Sequence, residues 1–444
     1  MQNILILGAG KSSIYLIEYL LHAAQSKERM VTVADIRQEF AAEKIKGHPH
    51  GLAVSINIHD QAERAQLISS NDLVISMLPP PFHPIIAQDC IQFGVHLLTA
   101  SYESDDLRKL KSAVEEKNLF FLNECGLDPG IDHMSAMRII EREHAAGNRI
   151  HSFKSYCGGL MAPTSESNPW KYKFTWNPRN VVLAGQGVAK YIESEQVKYI
   201  PYHQLFNRLE KVHFEDLGEF EGYANRNSLA YRKIYGLDSI PTLLRGTLRR
   251  TGYCSAWNTF VQLGMTDDSY LMELPKMATK KDYLSAFLPI YGGYGPEDRI
   301  RAIIPKVSSD DLSKLRWLGL FSDELLPVME GSPAAVLQGI LEEKWQLEKR
   351  DKDMIVMQHI FEVETEKGIK RITSSLSCFG ENETHTAMAK TVGLPLAIAA
   401  DLFLDGKIKI RGLFIPVKKE IYEPILHSLE SEGIIFQENE KLVS

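Results

Sequence analysis

The residues of this chain best suited to chemistry stand at the ends of short apolar runs. Gly8-Ala9-Gly10-Lys11-Ser12-Ser13 follows the run Ile4 to Leu7 and opens an amphipathic stretch. Glycine at 8 permits a tight turn, and glycine at 10 lets a pyrophosphate approach backbone amides at a helix N-terminus. Ser13 stands where a third glycine is usual, and so small a side chain still lets a helix pack on a strand. A bare Gly-x-Gly is also an ordinary turn, so its place between a first strand and a first helix is what makes it a nucleotide site. Asp35 ends the next apolar run, where a carboxylate accepts hydrogen bonds from the adenine ribose hydroxyls and repels an additional 2′-phosphate. It favours NAD(H), although Arg37 partly offsets the repulsion.

Further along, Ser101 and Tyr102 bring hydroxyls, and Gly126-Leu127-Asp128-Pro129-Gly130-Ile131-Asp132-His133 brings a carboxylate at Asp128. Asp-Pro-Gly is a common turn sequence, so Asp128 reads equally as a turn residue and as a ligand. Asp132 reads as the N-cap of the helix that follows. His133 either packs at that helix start or relays a proton near Asp128.

The elements that must position these groups follow from periodicity. "ILILGAG", "VTVAD", "LAVSINI", "DLVISML", "VHLLTAS" and "LFFLNE" alternate with helical patterns, which specifies a doubly wound parallel sheet with helices on both faces. Ligands of such a sheet bind beyond the carboxyl ends of its strands, where "MLPPPFHP", "TASYES" and "ECGLDPG" all fall. "IHSFKSYCGG" reads as a strand entering a glycine-rich turn, 270–345 as helical, and "MIVMQHIFEVETEKGIKRITSSLSCFG" as a hairpin. In "HTAMAKTVGLPLAIAADLFLDG" an apolar helix is expected to start at Gly393 and Pro395, since proline interrupts a helix interior. "PWKYKFTW" reads as core. Arg226, Arg245, Arg249 and Arg250 supply guanidinium groups able to bind carboxylates bidentately, with Arg245 and Arg250 read as surface charges.

With 444 residues, 44% hydrophobic and 24% charged, the composition is that of a globular chain of two or three domains. A net charge of −7 gives no electrostatic reason to expect nucleic acid or an anionic membrane. Cys90, Cys125, Cys157, Cys254 and Cys378 are odd in number and lack a Cys-x-x-Cys pair, so neither a disulfide framework nor a metal site is expected, and a cytoplasmic setting fits. No basic leader and no stretch of about 18 apolar residues is visible.

"NECGLDPGIDH", "KSYCGGLMAPTSESNPWKYKFTWNPRN" and "TAMAKTVGLPLAIAADLFLDGKI" resemble the signature segments of the glutamate-forming saccharopine dehydrogenase family, in the same order along the chain. The resemblance implies NAD(P)-dependent hydride transfer at a C–N bond, interconverting saccharopine with glutamate plus 2-aminoadipate 6-semialdehyde in lysine metabolism. It implies NADP(H) as cofactor, with which Asp35 disagrees, and a homodimer acting on a small molecule that carries several carboxylates. It places dinucleotide contacts on Gly8, Ala9, Gly10, Lys11, Ser12, Ser13, Asp35, Ile36, Arg37, Leu78, Thr99, Ala100, Leu127, Asp128 and Pro129. Substrate contacts fall on Ser101, Tyr102, Asp128, Arg226, Thr247, Leu248 and Arg249, with Asp128 as the catalytic candidate. The implied division is a Rossmann domain at 1–130 and about 385–412, an α/β substrate and dimerisation domain at 131–270, about 346–384 and 413–444, and a helical insertion at about 271–345. A dehydrogenase of another amine-linked carboxylate, such as carboxynorspermidine, and a catalytically silent dinucleotide sensor remain alternatives.

Overall fold

The structure, a computed structural model, describes residues 1–290 and 292–443. The chain divides into two units, Met1–Arg149 with Leu376–Glu438, and Ile150–Ser375 with the residues from Asn439 onward. The first is built on strands β1 (Gln2–Leu7), β2 (Arg29–Asp35), β3 (Gly51–Ser55), β4 (Leu73–Ser76), β5 (His96–Thr99) and β6 (Phe120–Leu122). They lie in the order β6-β5-β4-β1-β2-β3, and Gly412–Phe414 adds a seventh strand beside β6. Every pairing is parallel. Ile4, Leu5, Ile6 and Leu7 are all fully buried, as expected of a strand covered on both faces. The covering helices include α1 (Ile14–Lys27), α2 (Gln38–Ile45), α3 (Gln61–Ser69), α4 (His83–Phe93), α5 (Asp105–Lys109), α6 (Lys111–Glu116) and α7 (Ile131–Ala145).

The order of strands reverses at β1, and register aligns the strand ends there. Leu7 pairs with Ala34 and Ser76, and Ser76 pairs with Thr99. Gly8, Asp35, Met77 and Ala100 are therefore next in line along one edge, where a doubly wound sheet holds its ligand.

Three expectations about the first unit are corrected. Residues 413–438 and α7 belong to the first unit, because Gly412–Phe414 pairs with β6 and the helix Lys419–Ser431 is tied to α7 by Tyr422 Oη–Glu141 Oε2 at 2.6 Å and Arg138 Nη1–Glu430 Oε1 at 2.6 Å. A three-residue strand is too short for its periodicity to be read. Second, the apolar helix starts at Ala387, capped by Thr386, and Pro395 lies inside it. Helix burial outweighs the lost hydrogen bond, and Gly393 is needed for approach rather than termination: an added Cβ would lie 3.0 Å from the Leu16 nitrogen of α1. Third, this helix is long and apolar enough to cross a membrane, with a mean hydropathy of 1.5, yet 83% of it is buried inside the protein, as in a core helix.

The second unit holds a mixed sheet in the order Leu209–Phe214, Gly218–Ala224, Thr242–Arg250, Arg149–Met161, Asp353–Thr365, Gly368–Phe379, Gln437–Leu442, with the hairpin Val188–Glu193 and Gln196–Pro201 joined to Thr242–Arg250. The glycine-rich turn expected after "SYC" is absent among the described residues: Gly158 and Gly159 continue the strand, and a Cβ at 158 would lie 2.8 Å from that of Leu248. Helices Lys280–Ser285, Pro296–Ile303, Ser309–Trp317 and Pro333–Lys344 make the helical part. Trp170, Tyr172 and Phe174 are core, packed with Tyr253, Trp257 and Trp345.

Candidate active site

The first unit brings its predicted dinucleotide residues to one edge. Gly8 takes φ +102, which any side chain would strain, and its Cβ would press on the Met77 carbonyl at 3.2 Å. A Cβ at Gly10 would instead meet nothing within 4 Å, so backbone faces open space at the start of the helical segment, which fits a pyrophosphate. Ser13 is fully buried and its hydroxyl donates to the Gly10 carbonyl at 2.9 Å. Asp35 is more than a solvated strand end: Oδ2 accepts from the Ala9 N–H at 2.8 Å and Oδ1 from the Arg37 N–H at 3.2 Å. The carboxylate thus braces the glycine loop while retaining lone pairs for a ribose. The Arg37 guanidinium lies over the Phe40 ring at 3.6 Å, and Ile36 is exposed. Lys44 was not anticipated. Its half-buried ammonium donates to the Gly10 carbonyl and, at 3.0 Å, to Ser13 Oγ; burial pulls its pKa down to about 8, against the opposing pull of Glu43 and Asp35.

The turn carrying Asp128 is a closed knot of backbone bonds. Gly126 N–H donates to the Pro129 carbonyl at 3.0 Å, Ile131 N–H to Gly126 at 2.9 Å and Asp132 N–H to Leu127 at 3.1 Å. The Asp128–Pro129 peptide is cis. Asp128 stays partly exposed between buried Leu127 and Pro129, and Tyr102 Oη donates to its Oδ1 at 3.2 Å. Asp132 is the second helical residue rather than the N-cap, and its Oδ1 accepts from the Gly130 N–H at 2.6 Å. His133 is wholly buried, with Nε2 2.8 Å from Glu124 Oε2, while Glu124 Oε1 accepts from the Glu103 N–H at 3.0 Å. Glu124 takes φ +56, and these bonds hold that uncommon conformation just below Ser101, whose carbonyl accepts the Glu124 N–H at 3.0 Å. Among unanticipated residues is also His83, bonded to the Ser101 hydroxyl at 2.7 Å. Leu78 packs on the core below this edge, and Thr99 is buried beside Ala100.

Arg226, Thr247, Leu248 and Arg249 belong to the second unit. Arg226 is exposed, with φ +46, in the segment after Gly218–Ala224. Thr247, Leu248 and Arg249 follow one another along Thr242–Arg250, with Thr247 partly exposed. The Leu248 side chain is fully buried core and its carbonyl accepts from Arg249 Nη1 at 2.9 Å, so a ligand contact through that side chain is not available. Arg249 is 4% exposed and sits among the rings of Tyr172, Tyr253 and Tyr223 at 5.3, 5.3 and 5.9 Å. Burial raises all three phenols, that of Tyr223 to about 12, so they are neutral. Among the described residues no carboxylate lies within ion-pair distance of Arg249, and its Nε has no partner. The two arginines read as surface charges are corrected. Arg245 is buried over Tyr231 at 4.4 Å, and Arg250 Nε pairs with Glu166 at 2.6 Å while its guanidinium covers Phe220.

Comparison with known proteins adds to this geometry. The saccharopine dehydrogenase NADP binding domain matches residues 4–122, and the saccharopine dehydrogenase C-terminal domain matches 126–434. Fold, glycine loop and match together define a Rossmann-fold NADP-binding-domain protein. The chain belongs to the saccharopine dehydrogenase family. It is 35% identical to saccharopine dehydrogenase [NADP(+), L-glutamate-forming] of Schizosaccharomyces pombe, covering 99% of both chains. It is 36% identical to the mitochondrial alpha-aminoadipic semialdehyde synthase of Bos taurus over 98% of its own length, and spans about half, 47%, of that longer protein. The apo L-Glu-forming saccharopine dehydrogenase of Saccharomyces cerevisiae superposes with a TM-score of 0.89 at 32% identity, covering 99% of this chain and 100% of that one.

Proposed function

We propose that this chain is an NAD(P)-dependent oxidoreductase acting on a CH–NH donor, interconverting saccharopine with glutamate plus 2-aminoadipate 6-semialdehyde. The observation that carries the reading is the end-to-end match with the fungal enzyme whose name states that activity. Gly8 to Ser13, Asp35 to Arg37, Leu78, Thr99, Ala100 and Leu127 to Pro129 hold the dinucleotide. When bound, it supplies and takes the hydride at C4 of its nicotinamide. Ser101, Tyr102, Asp128, Arg226, Thr247 and Arg249 are the substrate contacts that the family resemblance assigns. Asp128, polarised by the Tyr102 hydroxyl, contacts the reacting nitrogen; the arginines pair with substrate carboxylates. The buried, carboxylate-free guanidinium of Arg249 supports this role, because a charge held there is costly until an anion joins it. Purified protein given saccharopine and either oxidised dinucleotide should produce reduced dinucleotide and glutamate, and absence of turnover with both would sink the reading.

The cofactor preference belongs to the same proposal. NADP(H) binding is the family's property, and Asp35 tilts this chain toward NAD(H). A carboxylate already braced by two backbone N–H groups cannot swing away from a 2′-phosphate. The expected result is a higher specificity constant with NAD, and a narrower ratio in Asp35→Asn, which keeps the brace to Ala9 and removes the charge. A higher constant with NADP in the parent protein overturns the preference. The chain is further proposed to act as a homodimer in the cytoplasm, for which light scattering and cell fractionation are the tests.

A further inference from the structure

We infer that His83 is a positioning residue that holds the Ser101 hydroxyl with its proton directed outward, toward an anionic group of the substrate. The inference rests on the proposed role of Ser101 as a substrate ligand. His83 is the first residue of α4, Ser76 the last of β4, and Ser101 follows β5 by two residues. The parallel register of β4 and β5, in which Ser76 pairs with Thr99, puts the three in one row. Ser76 Oγ lies 3.0 Å from His83 Nδ1, and Ser101 Oγ lies 2.7 Å from Nε2. Thr99 Oγ1, 3.4 Å from Nε2, also accepts the Ser101 N–H at 3.2 Å. Ser76, His83 and Thr99 are each 1% exposed, whereas Ser101 is partly open. The row thus runs from the interior to the edge where ligands bind.

Protons can be assigned along it by counting donors. Burial lowers the His83 pKa to about 4, so near neutrality the imidazole carries one N–H. If Ser101 donated to Nε2, it would turn only lone pairs outward, which repel a carboxylate. With the proton on Nε2, that nitrogen donates to Ser101 Oγ and, at longer range, Thr99 Oγ1, while Nδ1 accepts from the Ser76 hydroxyl. Both ring nitrogens are then satisfied and the Ser101 proton remains for the ligand. Pro79, Pro80, Pro81 and Pro84 flank the imidazole and fix φ on both sides of it, so it is presented by stiff chain.

The test is a double-variant cycle with a proton readout. In His83→Ala, kcat/KM for saccharopine should fall roughly tenfold, mainly through KM, as for loss of one oriented hydrogen bond to a charged group. The dissociation constant for the dinucleotide should stay within about twofold. His83→Gln, whose amide can donate near the Nε2 position, should recover most of the loss. The effect of His83→Ala should vanish in a Ser101→Ala background, since there is then no hydroxyl to orient. In the parent protein, ring-nitrogen NMR, assigned by the signal missing from His83→Gln, should show a protonated Nε2 and a bare Nδ1. Additive losses, a loss of dinucleotide affinity equal to the loss with saccharopine, or the opposite tautomer each overturn the inference. Unchanged saccharopine kinetics in Ser101→Ala would remove the Ser101 assignment and the inference with it, whereas a defect in Ser101→Ala without one in His83→Ala rejects the role of His83 alone.

Discussion

Arg249→Met should leave the second unit at least as stable as the parent while lowering kcat/KM for saccharopine by roughly tenfold to a hundredfold, the effect of losing a charge-assisted pair of about 1.5 to 3 kcal/mol. The two halves of that result have one cause. The guanidinium is 4% exposed among neutral phenols and has no carboxylate partner among the described residues, so only ring faces and the Leu248 carbonyl offset its desolvation. Methionine keeps much of the apolar stem between Tyr172, Tyr223 and Tyr253 and removes the charge; exchange of buried ionic groups for apolar ones of similar volume is often neutral or stabilising. Arg249→Lys should retain only part of the activity, since a point charge cannot reproduce the planar fork. Chemical denaturation and steady-state kinetics on the same preparations decide it. Marked destabilisation with unchanged kinetics would mean that the guanidinium holds the tyrosines together and binds nothing.

Gly130→Ala should destabilise the first unit by roughly 3 to 5 kcal/mol and abolish turnover in the protein that does fold. Gly130 takes φ +146, and an added Cβ would lie 2.1 Å from the Gly126 carbonyl oxygen and 2.3 Å from its nitrogen, both backbone atoms of the knot that carries Asp128. No side chain can move to relieve that overlap. Gly94, at the end of α4, is the control: its φ is +74, but a Cβ there meets nothing within 4 Å. Gly94→Ala should cost only about 1 kcal/mol and spare activity. Thermal unfolding with and without dinucleotide separates the two, and equal costs at both positions would show that conformation alone, not the knot, makes Gly130 necessary.

Much of the first unit was legible because its signals are local. Gly8, Gly10 and Asp35 stand where strand and helix patterns meet, and backbone sterics fix what such a turn can be. Long-range contacts were not legible. His83 lies in a proline-rich segment and meets Ser101 only through sheet register, 18 residues along the chain. Lys44 reads as one polar residue of an amphipathic helix until its reach to Gly10 is seen. Pro395 misled because propensity is a local penalty, and the buried surface of the helix around it outweighs that penalty. In the second unit, strand alternation does not reveal whether an arginine is buried. Arg245, Arg249 and Arg226 look alike in sequence, yet the first two are interior and the third is exposed.

The first unit takes its seventh strand and its apolar helix Ala387–Leu404 from the far end of the chain. During synthesis, roughly 250 residues separate the emergence of Arg149 from that of the helix. At about 5 to 20 residues per second, the face of α1 against which Gly393 must close stays uncovered for on the order of 10 to 50 seconds. The nascent glycine loop can form its turn early, but the layer behind it follows only much later. The nucleotide fold therefore emerges unfinished, with the apolar face of α1 uncovered until the helix Ala387–Leu404 follows.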